Sequence, residues 1–210
     1  MIPARADSDK QAEYLEKEMM PRLEEAKAGK RHVFFVDAAH FVMAPFLGFL
    51  WSVARVFIKA PAGRQRFNVL GAVDAITHKI ITVTNNTYIN AESVCEMLKK
   101  IAACGYTSPV TLFLDNARYQ KCSLVASTAS DLNIELCYLP SYSPNLNLIE
   151  RLWKFVRKQC LNSQYYDNFS DFRTAISDCL AEAHNTHKKD LRSLLSLRFQ
   201  LFDKTNFIAA

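Results

Sequence analysis

Two short segments, His32-Val33-Phe34-Phe35-Val36 and Val110-Thr111-Leu112-Phe113-Leu114, are apolar almost without interruption, and each runs directly into an aspartate, Asp37 or Asp115. A strand with one wet face alternates apolar and polar residues, whereas a near-continuous apolar run needs both faces covered. The chain must therefore place helices on both sides of a sheet whose central strands are these two. A carboxylate at the end of such a strand is costly to hide unless it is paired or metal-bound.

The remaining pattern supports a layered α/β arrangement. Ser8 to Ala28 reads as a charged amphipathic helix, with Ala12, Leu15, Met19 and Leu23 at helical spacing and Gly29 closing it. Extended segments are expected at 32–37, 52–59, 66–75 and 79–84, punctuated by Pro45, Pro61-Ala62-Gly63 and Thr77-His78, as an antiparallel meander. Helices at 91–103, 121–131, 146–161 and 169–184 then alternate with strands at 110–115 and 134–139, the mark of crossover connections and parallel pairing. That order is the order of a ribonuclease-H-like fold: a mixed sheet of five strands, three antiparallel and then two parallel, flanked by helices.

With 210 residues the chain can bury one substantial core. A net charge of +5 is compatible with a polyanionic partner without requiring one. The apolar stretch Phe41 to Trp51 is broken by Pro45 and Gly48 and is far short of the ~20 residues of a membrane helix, and the charged N-terminus has no secretory core, so we expect no membrane association and a cytoplasmic protein. Six scattered cysteines include no C-x-x-C pair and read as reduced thiols. His184 and His187 stand one helical turn apart, but no third ligand lies near them in sequence.

A third acid, Glu150, closes the segment Leu139-Pro140-Ser141-Tyr142-Ser143-Pro144-Asn145-Leu146-Asn147-Leu148-Ile149-Glu150 and opens a helix. On that helix Ile149, Leu152, Trp153, Val156 and Cys160 form an apolar stripe, leaving Glu150, Lys154, Arg157 and Lys158 on the opposing one. Each acid has a bland reading: a turn or cap for the aspartates, and a surface i,i+4 pair with Lys154 for Glu150. Together, three carboxylates at element termini offer hard oxygen donors for Mg²⁺ or Mn²⁺. Asp74 rivals Asp37 as the first acid. We prefer Asp37, because it follows the strand that should be central, whereas Asp74 precedes a polar hairpin turn.

These residues resemble the catalytic domain of bacterial insertion-sequence transposases of the Tc/mariner superfamily, whose retroviral-integrase-like domain carries an Asp, Asp, Glu triad. In that family a strand ending in Asp-Asn-Ala supplies the second acid, as in Leu114-Asp115-Asn116-Ala117. A block of the form Leu-Pro-x-Tyr-Ser-Pro-x-Leu-Asn-x-Ile-Glu supplies the third, as in Leu139 to Glu150. The 34 residues between Asp115 and Glu150 match the spacing of many bacterial members. The resemblance covers roughly residues 31–158. Two positions depart from the common pattern: Leu148 stands where many relatives have Pro, and Gln120 stands where many have His.

The resemblance implies that Asp37, Asp115 and Glu150 are catalytic and hold two Mg²⁺ or Mn²⁺ ions. Double-stranded DNA would be hydrolysed at a transposon end, and the freed 3′-hydroxyl would be joined to target DNA. Asn116, Tyr142, Ser143 and Asn145 are expected in the surrounding turns, and Arg64, Arg66, Lys154, Arg157 and Lys158 are candidate phosphate contacts. The expected divisions are a charged linker or docking helix at 1–30, the catalytic domain at 31–187 and a helical tail at 188–210. Relatives usually carry N-terminal helix-turn-helix domains, which only about thirty residues before Arg31 cannot provide. A homodimer, or a synapse with a protein carrying that domain, is therefore expected. The competing readings are a metal-dependent nuclease without joining activity, and a fragment acting only in DNA binding or dimerisation.

Overall fold

Both apolar runs become neighbouring central strands. The structure, a computed structural model, describes residues 6–43, 65–162, 164–183 and 185–201. Its sheet has five strands, β1 (His32–Val42), β2 (Arg66–Asp74), β3 (Ile80–Asn85), β4 (Val110–Leu114) and β5 (Ile134–Tyr138), in the order β3-β2-β1-β4-β5. β1 pairs antiparallel with β2, and β2 with β3, whereas β1–β4 and β4–β5 are parallel. This is the mixed ribonuclease-H-like sheet expected. The extended segment expected at 52–59 lies outside the described residues.

β1 is longer than expected. Rather than ending at Asp37, it continues to Val42, because its second half still has β2 as an antiparallel partner, through Val42↔Arg66. The parallel ladder to β4 does end there, at Val36↔Leu114. Asp37 thus lies mid-strand on one side and at a ladder's end on the other.

Helices α3 (Ala91–Ala102) and α4 (Ser123–Asp131) cover one face of the sheet, packing Val94, Met97, Leu98, Ile101 and Val125 against Phe34, Val36, Leu70 and Leu112. The other face packs Val33, Phe35, Phe41 and Phe113 against α5 (Ile149–Cys160), α6 (Phe169–Glu182) and α7 (Lys188–Leu194). Alternation of side chains along each strand sorts these two cores: Phe35 and Phe113 face α5, whereas Phe34 and Leu112 face α3. Asp37 and Asp115 stand two residues beyond Phe35 and Phe113, so both point to the α5 face.

The expected N-terminal helix forms in pieces, α1 (Ser8–Tyr14), a π turn (Leu15–Met19) and α2 (Met20–Lys27). Pro21 lacks the N–H that would continue the regular ladder, and the preceding turn widens, with the Met20 N–H reaching the Leu15 carbonyl. Met19, Leu23 and Ala26 are buried in the core beneath β1. The segment expected as a linker or docking arm is therefore packed on the sheet.

One acid on edge strand β5 fastens this helix. Glu135 accepts from Arg22 at 2.6 and 3.1 Å, from Arg31 at 2.8 Å and from Thr111 at 2.6 Å. The hydrogen bonds from Arg22 first, then Thr111 and the nearby Arg31 charge, hold its carboxyl down at about 2, against burial, which raises it. A depressed folded pKa stabilises the protein fully above the unfolded value of 4.5, and that contribution is lost as pH falls towards 2. We expect Glu135→Gln to remove about 1 kcal/mol at pH 7, discounted for a side chain that is 39% exposed. Urea denaturation at pH 7 and pH 3 should show a smaller acid-induced loss of stability in the variant than in the wild type.

Candidate active site

Each carboxylate reaches the site by a different element. Asp37 stands at the β1–β4 ladder's end, Asp115 directly follows β4, and Glu150 occupies the first turn of α5, which lies across the face to which both aspartates point. Leu146, Leu148, Ile149 and Leu152 are fully buried, so the start of α5 is anchored by apolar packing. No side-chain cap starts the helix; the Glu150 and Arg151 amides bond instead to the Asn147 and Leu148 carbonyls.

Burial and mutual charge act on the three acids. Burial, then the charges of Asp115 and Glu150, push the Asp37 carboxyl up to about 7, against the Ala38 amide and the Trp153 indole, which favour ionisation. Burial raises the Asp115 carboxyl, opposed by the Asn147 amide. Burial and then Asp115 raise Glu150, opposed by the Arg157 and Lys154 charges. All three shifts point the same way: burial raises each carboxyl, and at Asp37 and Glu150 a neighbouring acid adds to it.

Two donors from the α5 region hold the aspartates. The Trp153 indole N–H donates to Asp37 Oδ2 at 3.0 Å, and the Asn147 amide donates to Asp115 Oδ1 at 3.2 Å and to the Val36 carbonyl at 3.4 Å. Neither residue carries a functional role in the sequence reading, yet both left a signal. A buried Asn between Leu146 and Leu148 must find partners, and a Trp on an apolar stripe must place its N–H. Tyr119 was also missed; burial and then the charges of Asp37 and Asp115 push its phenol up to about 12, so it stays protonated beside them.

The other expected residues divide. Asn116 is exposed on the turn after Asp115. Ser143 is buried and donates to the Ser141 carbonyl at 3.4 Å, and Tyr142, at φ 60°, is half exposed. Asn145 donates to Gln11 Oε1 at 2.9 Å and to the Gln200 carbonyl at 2.8 Å, while Gln11 donates to the Tyr142 carbonyl at 3.3 Å. The loop is thereby braced by α1 and by the C-terminal segment. Lys154 and Lys158 are exposed on α5, and Arg157 lies over the Phe41 ring at 5.7 Å. Arg66 is exposed at the far end of β2, five residues from the Gly71 that faces Asp37. Arg64 lies outside the described residues. Asp74, the rival first acid, is consumed by the β2–β3 hairpin, accepting from the Ile76 and Thr77 amides at 2.8 and 2.6 Å.

Three carboxylates are the donor set that hard divalent cations prefer. Beside them Asn147 Oδ1 is a buried acceptor with no hydrogen-bond partner among the described residues. Among those residues no three His, Cys, Asp or Glu side chains converge tightly enough to hold an ion in this conformation. By the chemistry of its donors the site fits a divalent cation, with its acids as neighbours and not as a closed cage. His184 lies outside the described residues, and His187 faces Asp190 at 3.7 Å. All six cysteines are free, and no described helix is long and apolar enough to cross a membrane.

Comparison with known proteins agrees with this fold. An insertion element IS630 uncharacterized 39 kDa protein of Shigella sonnei is 25% identical over 125 residues, which is 58% of this chain but 36% of the relative, so the chain spans about a third of that protein's length. Among solved structures, the Mos1 strand transfer complex matches with a TM-score of 0.61 at 14% identity, over 97% of this chain and 65% of that one. The Mos1 transposase catalytic domain with raltegravir and Mn matches with a TM-score of 0.58 at 13% identity, over 96% of this chain and all of that one. At such identities these structures establish a shared fold. The model of the DDE superfamily endonuclease family matches residues 32–173, a span that contains Asp37, Asp115 and Glu150, and the chain belongs to that family.

Proposed function

We propose that this chain is the catalytic domain of an insertion-sequence transposase, which hydrolyses a phosphodiester at a transposon end and joins the freed 3′-hydroxyl to target DNA. The observation that carries this reading is the gathering of Asp37, Asp115 and Glu150 on one sheet face, each with its carboxyl raised by burial, and Asp37 and Glu150 further by neighbouring acids. These three side chains would hold two Mg²⁺ or Mn²⁺ ions. When bound, the ions supply charge that activates the attacking oxygen and stabilises the leaving one.

The chain's own residues do the rest. Asn147 and Trp153 keep two carboxylates turned into the site, and Tyr119 offers a protonated hydroxyl beside them. Hydrolysis forms a P–O bond to water and breaks one to the transposon end; joining forms a P–O bond to the 3′-oxygen and breaks one in the target. Each step exchanges one P–O bond at phosphorus for another: hydrolysis leaves a free 3′-hydroxyl and a phosphate monoester, joining trades one phosphodiester for another, and neither needs a covalent enzyme intermediate. Lys154, Arg157 and Lys158 extend from Glu150 along α5 and would take DNA phosphates. Lys154 and Lys158 also line a cleft of about 740 Å³ between α5 and the C-terminal segment, whose other charges are Arg151, Arg198 and Asp190, a mostly cationic wall. Recognition of transposon ends would come from a helix-turn-helix segment outside the matched region or on a partner, with two catalytic domains in a synapse.

The decisive experiment supplies cut and uncut transposon-end DNA with Mg²⁺ and scores joined product. Asp115→Ala and Glu150→Ala proteins, shown folded by circular dichroism, should lose strand transfer by at least about 100-fold. Nicking without joining would favour a nuclease, and no cleavage at all would favour a fragment acting only in DNA binding or dimerisation. Lys154→Ala and Lys158→Ala should each lower the slope of log affinity against log salt by about 1, measured by fluorescence anisotropy. Asp37→Asn should separate fold from activity. A raised folded pKa means the ionised Asp37 destabilises the metal-free protein as pH rises from about 4 through 7, so the variant should gain roughly 1–3 kcal/mol at pH 8 while losing strand transfer.

A further inference from the structure

Asp37 is held by a residue whose place in the core is made by a missing side chain on the neighbouring strand. Trp153 is 1% exposed, and its N–H reaches Asp37 Oδ2 at 3.0 Å. Asp37 pairs across the β1–β2 ladder with Gly71. A Cβ on Gly71 would stand 2.5 Å from Cη2 and 2.9 Å from Cζ2 of Trp153, and 3.0 Å from Ile149 Cδ1, all side-chain atoms of α5. The glycine needs no unusual backbone conformation; its role here is a notch that admits the indole. Phe41, further along β1, closes the other side with an edge-on contact at 6.1 Å between ring centroids. Ring position is therefore set by Gly71, Phe41 and α5 together, and the N–H can point only where they direct it.

An apolar pocket of this kind would accept Phe or Leu without an N–H to satisfy, and Trp carries such a group into the core only with an acceptor at hand. Here the acceptor is a triad carboxylate. We propose that Trp153 is a positioning residue for metal binding, fixing the Asp37 carboxylate through its indole N–H, and that Gly71 is the notch that makes this possible. The inference rests on the reading of Asp37 as a metal ligand. Groups that orient metal-binding side chains typically account for 10–100-fold in affinity. The chain has only two tryptophans, Trp51 and Trp153, so a Trp51→Phe background leaves the indole at 153 as a single optical reporter.

The test titrates Mn²⁺ alone into the full chain, following heat by calorimetry and indole emission in the Trp51→Phe background. Mn²⁺ should quench Trp153 saturably, and Asp115→Ala should abolish the quenching. Trp153→Phe should stay folded and bind Mn²⁺ about 10–100-fold more weakly. A 3-benzothienylalanine at 153, which keeps the bicyclic shape and replaces N–H by sulfur, should weaken binding to the same degree. Gly71→Ala should weaken it too, and should destabilise the wild type more than the Trp153→Phe protein, whose smaller ring leaves room for the added methyl. Leu152→Ala, on the same buried face, should lower stability while leaving Mn²⁺ affinity unchanged. Unaltered affinity in both the Phe and the benzothienyl proteins overturns the role of Trp153 and leaves the metal site standing. Absence of Mn²⁺ binding in the wild type overturns the metal site itself, and this inference with it.

Discussion

Parallel pairing of β1 with β4 is the constraint on which the rest of the site depends. The ladder runs from His32↔Val110 to Val36↔Leu114, and at its end the next residue on each strand is an aspartate. Because side chains alternate along a strand, that register also decides that both acids point to one face. A slip of one residue in either strand would turn one carboxylate into the opposite core. Burial in this pairing, and then the charges of Asp115 and Glu150, raise the Asp37 carboxyl.

Helix α5 answers that arrangement with several residues from a single turn-and-helix block. Glu150 adds the third carboxylate, Trp153 and Asn147 hold the other two, and the buried stripe of Ile149, Leu152 and Val156 fixes the helix on the sheet. Its seat is secured from outside the block as well. Gln11 and Asn145 link α1 to the loop before α5, and Arg151 donates to the Leu194, Ser196 and Arg198 carbonyls, drawing the C-terminal segment against the helix. Both ends of the described chain thus bear on the element that carries Glu150, and the N-terminal helix belongs to the same hydrophobic core.

Much of this was legible in residue pattern. Uninterrupted apolar runs gave the two central strands, because burial on both faces removes the polar half of the alternation. The spacing of Ile149, Leu152, Trp153 and Val156 gave the inward face of α5 and left Glu150, Lys154 and Lys158 outside it. Other features were not legible. The full length of β1 depends on β2 as a partner, which a window over residues 32–42 does not contain. Trp153 looks like any core aromatic until its acceptor, more than a hundred residues earlier, is known. Asn147 likewise shows only that a buried amide exists, and not that it serves Asp115.

The amino-acid sequence by itself determined the inventory and the local geometry: which segments are strands, which acids end or interrupt them, and which helix carries the third. Each of these depends on short-range periodicity, and burying a residue's own neighbours is enough to set it. Only the tertiary structure decided that Asp37, rather than Asp74, stands beside Asp115. It also decided that Gly71 leaves room for Trp153 and that both ends of the described chain brace the loop leading to Glu150. Those outcomes depend on register and packing between segments far apart in the chain, where a hydrogen bond or a missing methyl has meaning only once its partner is in place.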